Sequence, residues 1–157
     1  MTRDQRFAEA AADLGHAFDG EIKVGGNYLP LVRDGHVLHV SGQVPRVGDR
    51  VVVTGRVGAD VSLEQARHAA KVCAMRALAL VQRSLGSLDG VRAVLRMNVF
   101  IQCSDTFTQH SEVADAASDL IAFVIGPEGA HARTSVGVYQ LPKNASVEID
   151  VTVAAVG

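Results

Sequence analysis

The sequence has no tryptophan, few aromatic residues (4%) and no excess of either charge, its formal net charge being −2. Nucleic-acid binders show a basic patch, commonly with aromatics on which bases stack. Here the basic residues Arg3, Arg6, Arg33, Arg46, Arg50, Arg56, Arg67 and Lys71 are scattered among acids, so nucleic acid is a poor default partner. Only two cysteines occur, Cys73 and Cys103, far apart and outside any CxxC pattern. They read as reduced core thiols of a cytosolic, hence cytoplasmic, protein rather than as a disulfide framework. The six histidines show no metal-ligand spacing; His36 and His39, three apart in a strand, point to opposite faces. No run is apolar over the length of a membrane span, and the opening MTRDQRFAEAAADLG reads as a polar helix, not a signal peptide. Repeats, low-complexity tracts and linkers are absent as well.

What is present suits one globular domain over residues 1–157: 48% hydrophobic and 20% charged residues, in a chain long enough for a real core. Thr2 with Gln5 forms a capping-box pattern ahead of Phe7, Ala10, Ala11 and Leu14, and Gly15 stops that helix, an N-terminal extension within residues 1–20. Asp34-Gly35 joins two strand-like runs as a tight hairpin. Ser62 and Gln65 open a long Ala-rich helix that ends at Gly86, its apolar stripe passing through Ala66, Ala70, Cys73, Ala77 and Leu80. Arg67, Lys71 and Gln82 suit its solvent face. VRAVLRMNVFIQC is a strand with Ala93, Leu95, Met97, Val99 and Ile101 on one face and Val94, Arg96, Asn98, Phe100 and Gln102 on the other. Asp105 is placed to cap a second long helix that closes at Gly126-Pro127. HARTSVGVYQLPKNASVEIDVTV then reads as two strands around a turn at Pro142–Asn144. The order α-β-β-α-β-α-β-β points to an α+β layer: one mixed sheet with both long helices on one face. The other face, with Arg96, Asn98, Phe100, Val136 and Val138, calls for cover by further subunits, so a closed homo-oligomer is expected.

Arg133 and Glu148 stand out in the final pair of strands. A guanidinium offers a planar fork that grips a carboxylate through two parallel hydrogen bonds, and a partly buried carboxylate positions water and moves protons. Each also has a plainer reading. An arginine at a strand start suits an edge or an ion pair, and Glu148 alternates with Ser146, Asp150 and Thr152 as on an exposed polar face. If the two strands pair about Lys143–Asn144, Glu148 stands level with Tyr139, and the six residues back to Arg133 span ~20 Å. One chain then does not bring the two groups together, and a shared ligand would need neighbouring subunits.

HVSGQVP (His39 to Pro45), QARHA, MNVFI (Met97 to Ile101) and above all ARTSVGVYQLPKNASVEID resemble the Rid family, the reactive-intermediate imine deaminases also called YjgF or L-PSP-type proteins. The resemblance runs from about Tyr28 to Ala155. It implies a chorismate-mutase-like fold, a homotrimer with a ligand site in each cleft between subunits, and hydrolysis of enamine or imine acids to 2-keto acids and ammonia without metal or cofactor. By position, Arg133 matches the carboxylate-binding arginine, Glu148 the acid that orients water, Tyr28 a pocket tyrosine and Gly42 a backbone contact. Ser135 stands where the best-known deaminases carry cysteine; two residues from Arg133 and on its strand face, its hydroxyl is a further candidate ligand contact. Tyr28 beside Gly25-Gly26 equally suits packing, and Gly42 equally marks a bulge or a close backbone approach. The helix TFTQHSEVADAASDLIAFVIG lacks the Asn-x-x-Tyr-x-x-Phe-Phe pattern of those deaminases, which marks a divergent branch. A non-catalytic trimeric module binding small carboxylic metabolites shares Arg133 with the deaminase reading. A ribonuclease, after the L-PSP label, fits the acidic balance poorly.

Overall fold

A computed structural model describes residues 1–157. The elements are α1 (Arg3–Leu14), β1 (Leu31–Asp34), β2 (Val37–Gln43), β3 (Arg46–Val47), β4 (Arg50–Val51), α2 (Leu63–Leu85), β5 (Val91–Gln102), α3 (His110–Ile125), β6 (Ala132–Val138) and β7 (Val147–Ala155). Five strands form one sheet in the order β1-β2-β7-β5-β6, in which β5 and β6 run parallel and the other neighbours antiparallel; β3 and β4 form a separate small hairpin. α2 lies over β2 and β7, α3 lies over β5 and β6, and the two helices pack on each other. This is a chorismate-mutase-like mixed sheet with both long helices on one face. No helix is long and apolar enough to cross a membrane.

The helix starts follow from local chemistry. Thr2 and Ser62 each form a reciprocal capping box, with Gln5 and Gln65, and Gly15 and Gly86 take the left-handed conformation that ends α1 and α2. α3 departs from expectation. It begins at His110, and its cap residue Gln109 makes no side-chain bond, so Asp105 caps nothing. α2 is also buried further round than its stripe implies, with every residue from Val72 to Val81 inside. The sheet covers one side, while α1, α3 and the segment around Phe18 cover others. Its polar residues therefore bind neighbouring elements instead of facing only solvent. Gln82 Nε2 donates to Asp4 Oδ1 at 2.7 Å, and the Arg67 guanidinium donates to the Glu112 carbonyl.

Two corrections concern the strands. β5 carries an extra residue between Val94 and Arg96, which pair with Val153 and Thr152. A bulge of this kind reverses the side-chain alternation. Val94 is thus 3% exposed and faces the core, while Leu95 is 41% exposed, the reverse of the expected assignment. β6 and β7 are not a hairpin either. β5 lies between them, pairing with β6 through Met97↔Arg133 and with β7 through Phe100↔Glu148. The Pro142–Asn144 turn leads the chain over one strand into the middle of the sheet. Lys143 and Asn144 take left-handed φ values of 59° and 58° there. Buried Gln102 holds that turn: it donates to Asn144 Oδ1 at 2.7 Å and accepts from the Leu141 N–H at 2.8 Å.

α1 is bound through its apolar residues Phe7, Ala10, Ala11 and Leu14, which pack into the core, and through its charges. Arg3 donates to the carbonyls of Ile125, Leu88 and Val91 and pairs with Glu128, and Arg6 Nε donates to the Val124 carbonyl at 3.1 Å. α3 has no basic residue in its own last turn, so α1 supplies the cations that its free carbonyls favour. Arg3→Ala is expected to cost about 2–3 kcal/mol of stability, because part-buried carbonyls lose a charged donor. Urea unfolding monitored by circular dichroism measures this.

Candidate functional site

Gly42 lies in a second bulge. Between Val40↔Val151 and Gln43↔Ile149, two residues of β2, Ser41 and Gly42, stand opposite Asp150 alone. The bulge turns the backbone at Gly42 toward the Glu148 side chain on β7. A Cβ at Gly42 would lie 2.9 Å from Glu148 Cδ and closer still to Oε2. Glycine is therefore needed because a carboxylate rests against the strand. Both sequence readings of this residue hold at once: Gly42 marks a bulge and a close approach.

Glu148 lies on the polar face of β7 with Asp150 and Thr152, as the alternation suggests, but it is half-buried there instead of exposed. Burial pushes its carboxyl above the usual range, and the neighbouring Asp150 adds to the rise. It forms no ion pair within the chain. It lines a cavity of about 80 Å³ together with Tyr28, Gly42, Gln43, Arg46 and Lys143. Tyr28 is half exposed at the rim, its ring packed on Gly26. Three of the five residues singled out from sequence are thus gathered here. Arg46, Arg76 and Lys143, which also line this cavity, were missed. The positive φ of Lys143 in a Leu-Pro-Lys-Asn turn depends on Gln102, forty-odd residues away in sequence, so no local signal indicated it.

Arg133 and Ser135 lie elsewhere. They pair with Met97 and Val99, whose side chains are in the core, so they share the helix-facing side of the sheet. Glu148 pairs with Phe100 on the open side. Glu148 is therefore level with Val136 across β5, not with Tyr139. Three residues along the strands and two strand spacings put the Arg133 and Glu148 backbones ~14 Å apart, on opposite faces. Arg133 Nη1 donates to Asp115 Oδ1 at 2.8 Å and to Ser118 Oγ at 3.0 Å. The ion-pair reading of this arginine is thus realised, yet its Nε–Nη2 edge makes no bond within the chain and offers a fork for a carboxylate. Ser118 also meets His131 Nε2 at 2.9 Å, beside a cavity of about 360 Å³. Ser135 is half-buried on the same face.

The cysteines divide. Cys73 is buried in α2, and burial pushes its thiol well up. Cys103 is only half-buried, 3.7 Å from His110 Nε2, and so is not the core thiol expected.

The sheet order, the helices on one face and the cleft at a β2 bulge define the chorismate-mutase-like class of α+β proteins. The family described as Endoribonuclease L-PSP matches residues 19–155, and the chain belongs to that family. It is 45% identical over 128 residues to Protein TCP17 of Trypanosoma cruzi, covering 81% of this chain and 80% of that protein. The crystal structure of Atu1372, a protein of unknown function from Agrobacterium tumefaciens, superposes with a TM-score of 0.87 at 39% identity over 98% of this chain and 95% of that one. E. coli TdcF with bound serine shares the fold, with a TM-score of 0.61 at 21% identity over 87% and 92% of the two chains.

Two outcomes are expected of this geometry. Because the folded-state pKa of Glu148 is raised, the folded chain holds more protons than the unfolded one above the ordinary glutamate value, and Glu148 loses stability as pH rises through that window. Glu148→Gln is therefore expected to raise the melting temperature near pH ~7.5 and to leave it unchanged near pH ~4, read by calorimetry. Gly42→Ala is expected to destabilise by about 1–3 kcal/mol through overpacking, and most of that loss should vanish in the Gly42→Ala/Glu148→Ala double variant.

Proposed function

We propose that this protein hydrolyses enamine and imine derivatives of amino acids to 2-keto acids and ammonia, in clefts between the subunits of a homotrimer. The carrying observation is the half-buried Glu148 carboxyl resting on Gly42 without an ion-pair partner, its pKa raised by burial and by Asp150. Such a group takes a proton from water and returns it readily. The free edge of Arg133 suits the substrate carboxylate. Since a single chain holds these groups on opposite faces, Arg133 of one subunit would serve Glu148 of the next. The open sheet face supports the assembly, with Leu95, Val136 and Tyr139 exposed there or at its edge. The bound serine of TdcF is consistent with an amino-acid-sized ligand in this fold.

In the reaction, Arg133 fixes the carboxylate of the protonated imine, and water attacks the C=N carbon while Glu148 accepts its proton. The new C–O bond yields a tetrahedral carbinolamine. Glu148 returns to its starting state by passing that proton to the nitrogen. The C–N bond then breaks as the hydroxyl becomes the carbonyl, and the hydroxyl proton goes to the departing ammonia, so that ammonium and the 2-keto acid leave. Ser135 beside Arg133 and Tyr28 at the rim of the Glu148 cavity would serve as hydroxyl donors to the ligand.

The test generates 2-iminobutyrate with an amino-acid oxidase and follows its decay. Arg133→Ala and Glu148→Gln are each expected to lower the acceleration by about 100-fold or more. Mixing the two variants after dissociation should restore about a quarter of wild-type activity, since random trimers leave that share of intersubunit sites intact. Recovery of nothing would place both groups in one chain's site. Keto-acid binding without turnover by wild type would favour the non-catalytic binding module.

A further inference from the structure

The wall of the Glu148 cavity formed by Arg46 and Arg76 carries a chemistry that a small monocarboxylic ligand does not use. Arg76 sits on α2 and is 4% exposed, among alanines, valines and leucines. A guanidinium does not give up its charge in such a place, and burial without a counter-ion is costly. Yet all its contacts are neutral: Nε donates to Gln43 Oε1 at 3.1 Å, Nη1 to the Arg46 carbonyl at 2.7 Å and Nη2 to the Lys23 carbonyl at 3.4 Å. Neither Arg76 nor Arg46 forms an ion pair. The Nε of Arg46 is buried without any hydrogen-bond acceptor.

Both arginines line the cavity that holds Glu148, and Lys143 lines it as well. Lys23 lines it too, but its ammonium is taken by Asp49. Glu148 does not balance this charge. It forms no ion pair with either arginine, and burial and Asp150 push its carboxyl up. The cavity thus has a carboxyl end at Glu148 and Gly42 and a cationic end at Arg46 and Arg76.

We propose that the cationic end is an anion subsite for a second carboxylate, so that the preferred ligand is a dicarboxylic 2-imino or 2-keto acid. The guanidinium of Arg46, backed by the charge of Arg76, supplies the planar donor set that a carboxylate matches. A cavity of about 80 Å³ takes a carboxylate on a short methylene chain. The reading rests on the proposed function for the other end of the ligand, where Arg133 of a neighbouring subunit grips the first carboxylate. It extends that function from imine acids in general to those with an anionic side chain.

The test is calorimetric titration of the assembled protein with two unreactive products, 2-oxobutyrate and 2-oxoglutarate, beside the imine-decay assay. Wild type is expected to bind 2-oxoglutarate about tenfold more tightly than 2-oxobutyrate. Arg46→Gln keeps the backbone carbonyl on which Arg76 depends, so the fold is retained. It should remove that preference by weakening 2-oxoglutarate about tenfold more than 2-oxobutyrate, whereas Arg133→Ala should weaken both ligands alike. Equal affinity in wild type, or an equal loss of both ligands in Arg46→Gln, overturns the subsite. If imine turnover by wild type persists in that case, the proposed function stands without it. An Arg46-sensitive preference for 2-oxoglutarate in a protein that turns over no imine upholds the subsite and sinks the catalysis. Inorganic phosphate that displaces 2-oxoglutarate with higher affinity, and in an Arg46-dependent way, overturns the assignment to a carboxylate.

Discussion

Strand β5, inserted between β6 and β7, is the constraint from which the rest of the site geometry follows. It pairs with β6 on one side and β7 on the other, and the alternation along it decides which side chains face the helices and which face outward. Arg133 is registered to Met97 and Glu148 to Phe100, an odd number of residues apart. Side chains at odd spacing lie on opposite faces of a sheet. No rearrangement of side chains within one chain brings these two groups to one ligand, and slipping a strand by one residue would expose its buried row. The separation is thus locked by the same burial of Met97, Val99 and Ile101 that stabilises the sheet.

Of the sheet's three register shifts, one in β5 at Leu95 and one in β2 at Gly42 adjust this frame. The one in β5 reverses the alternation before Arg96, keeping Val94 in the core at one end while Met97 to Ile101 fill it at the other. The one in β2 presents Gly42 to Glu148. Bulges recur where a strand must re-aim a side chain beside a functional cleft. Here the result is a carboxyl partly withdrawn from water without a cation to neutralise it, next to arginines that lack carboxylate partners. Opposite charges are thus held in one small cavity without cancelling each other. Such an unrelieved arrangement in a cleft marks a candidate ligand-binding site.

The N-terminal helix and the segment after it close the structure around α2. Arg3 and Arg6 satisfy the end of α3, and Arg83 and Arg76 donate to the carbonyls of Phe18, Gly20 and Lys23. Charged side chains therefore dock this segment together with the apolar contacts of Ala10 and Phe18. Through Arg76, the same network reaches Gln43 and Arg46 beside the cleft, so the extension and the site share a support.

Much of the fold was legible in the chain itself. The capping boxes at Thr2 and Ser62, the glycine stops at Gly15 and Gly86 and the strand alternation around Met97 are local signals, governed by neighbours a few residues away. The pattern around Arg133 and Glu148 also pointed to the family, and the separation of the two groups within one chain could be argued from spacing. Three features were decided only by tertiary structure. The insertion of β5 between β6 and β7 depends on pairing between distant segments, which a turn at Pro142–Asn144 does not specify. The parity reversal at Leu95 depends on register against β7. The burial of Arg76 depends on what covers α2 from three sides, since an arginine in an Ala-rich helix looks solvent-facing until its surroundings are known. Local chemistry sets where elements begin and end, whereas long-range pairing and burial set which side chains meet. In this protein the cleft is made by the second kind of interaction.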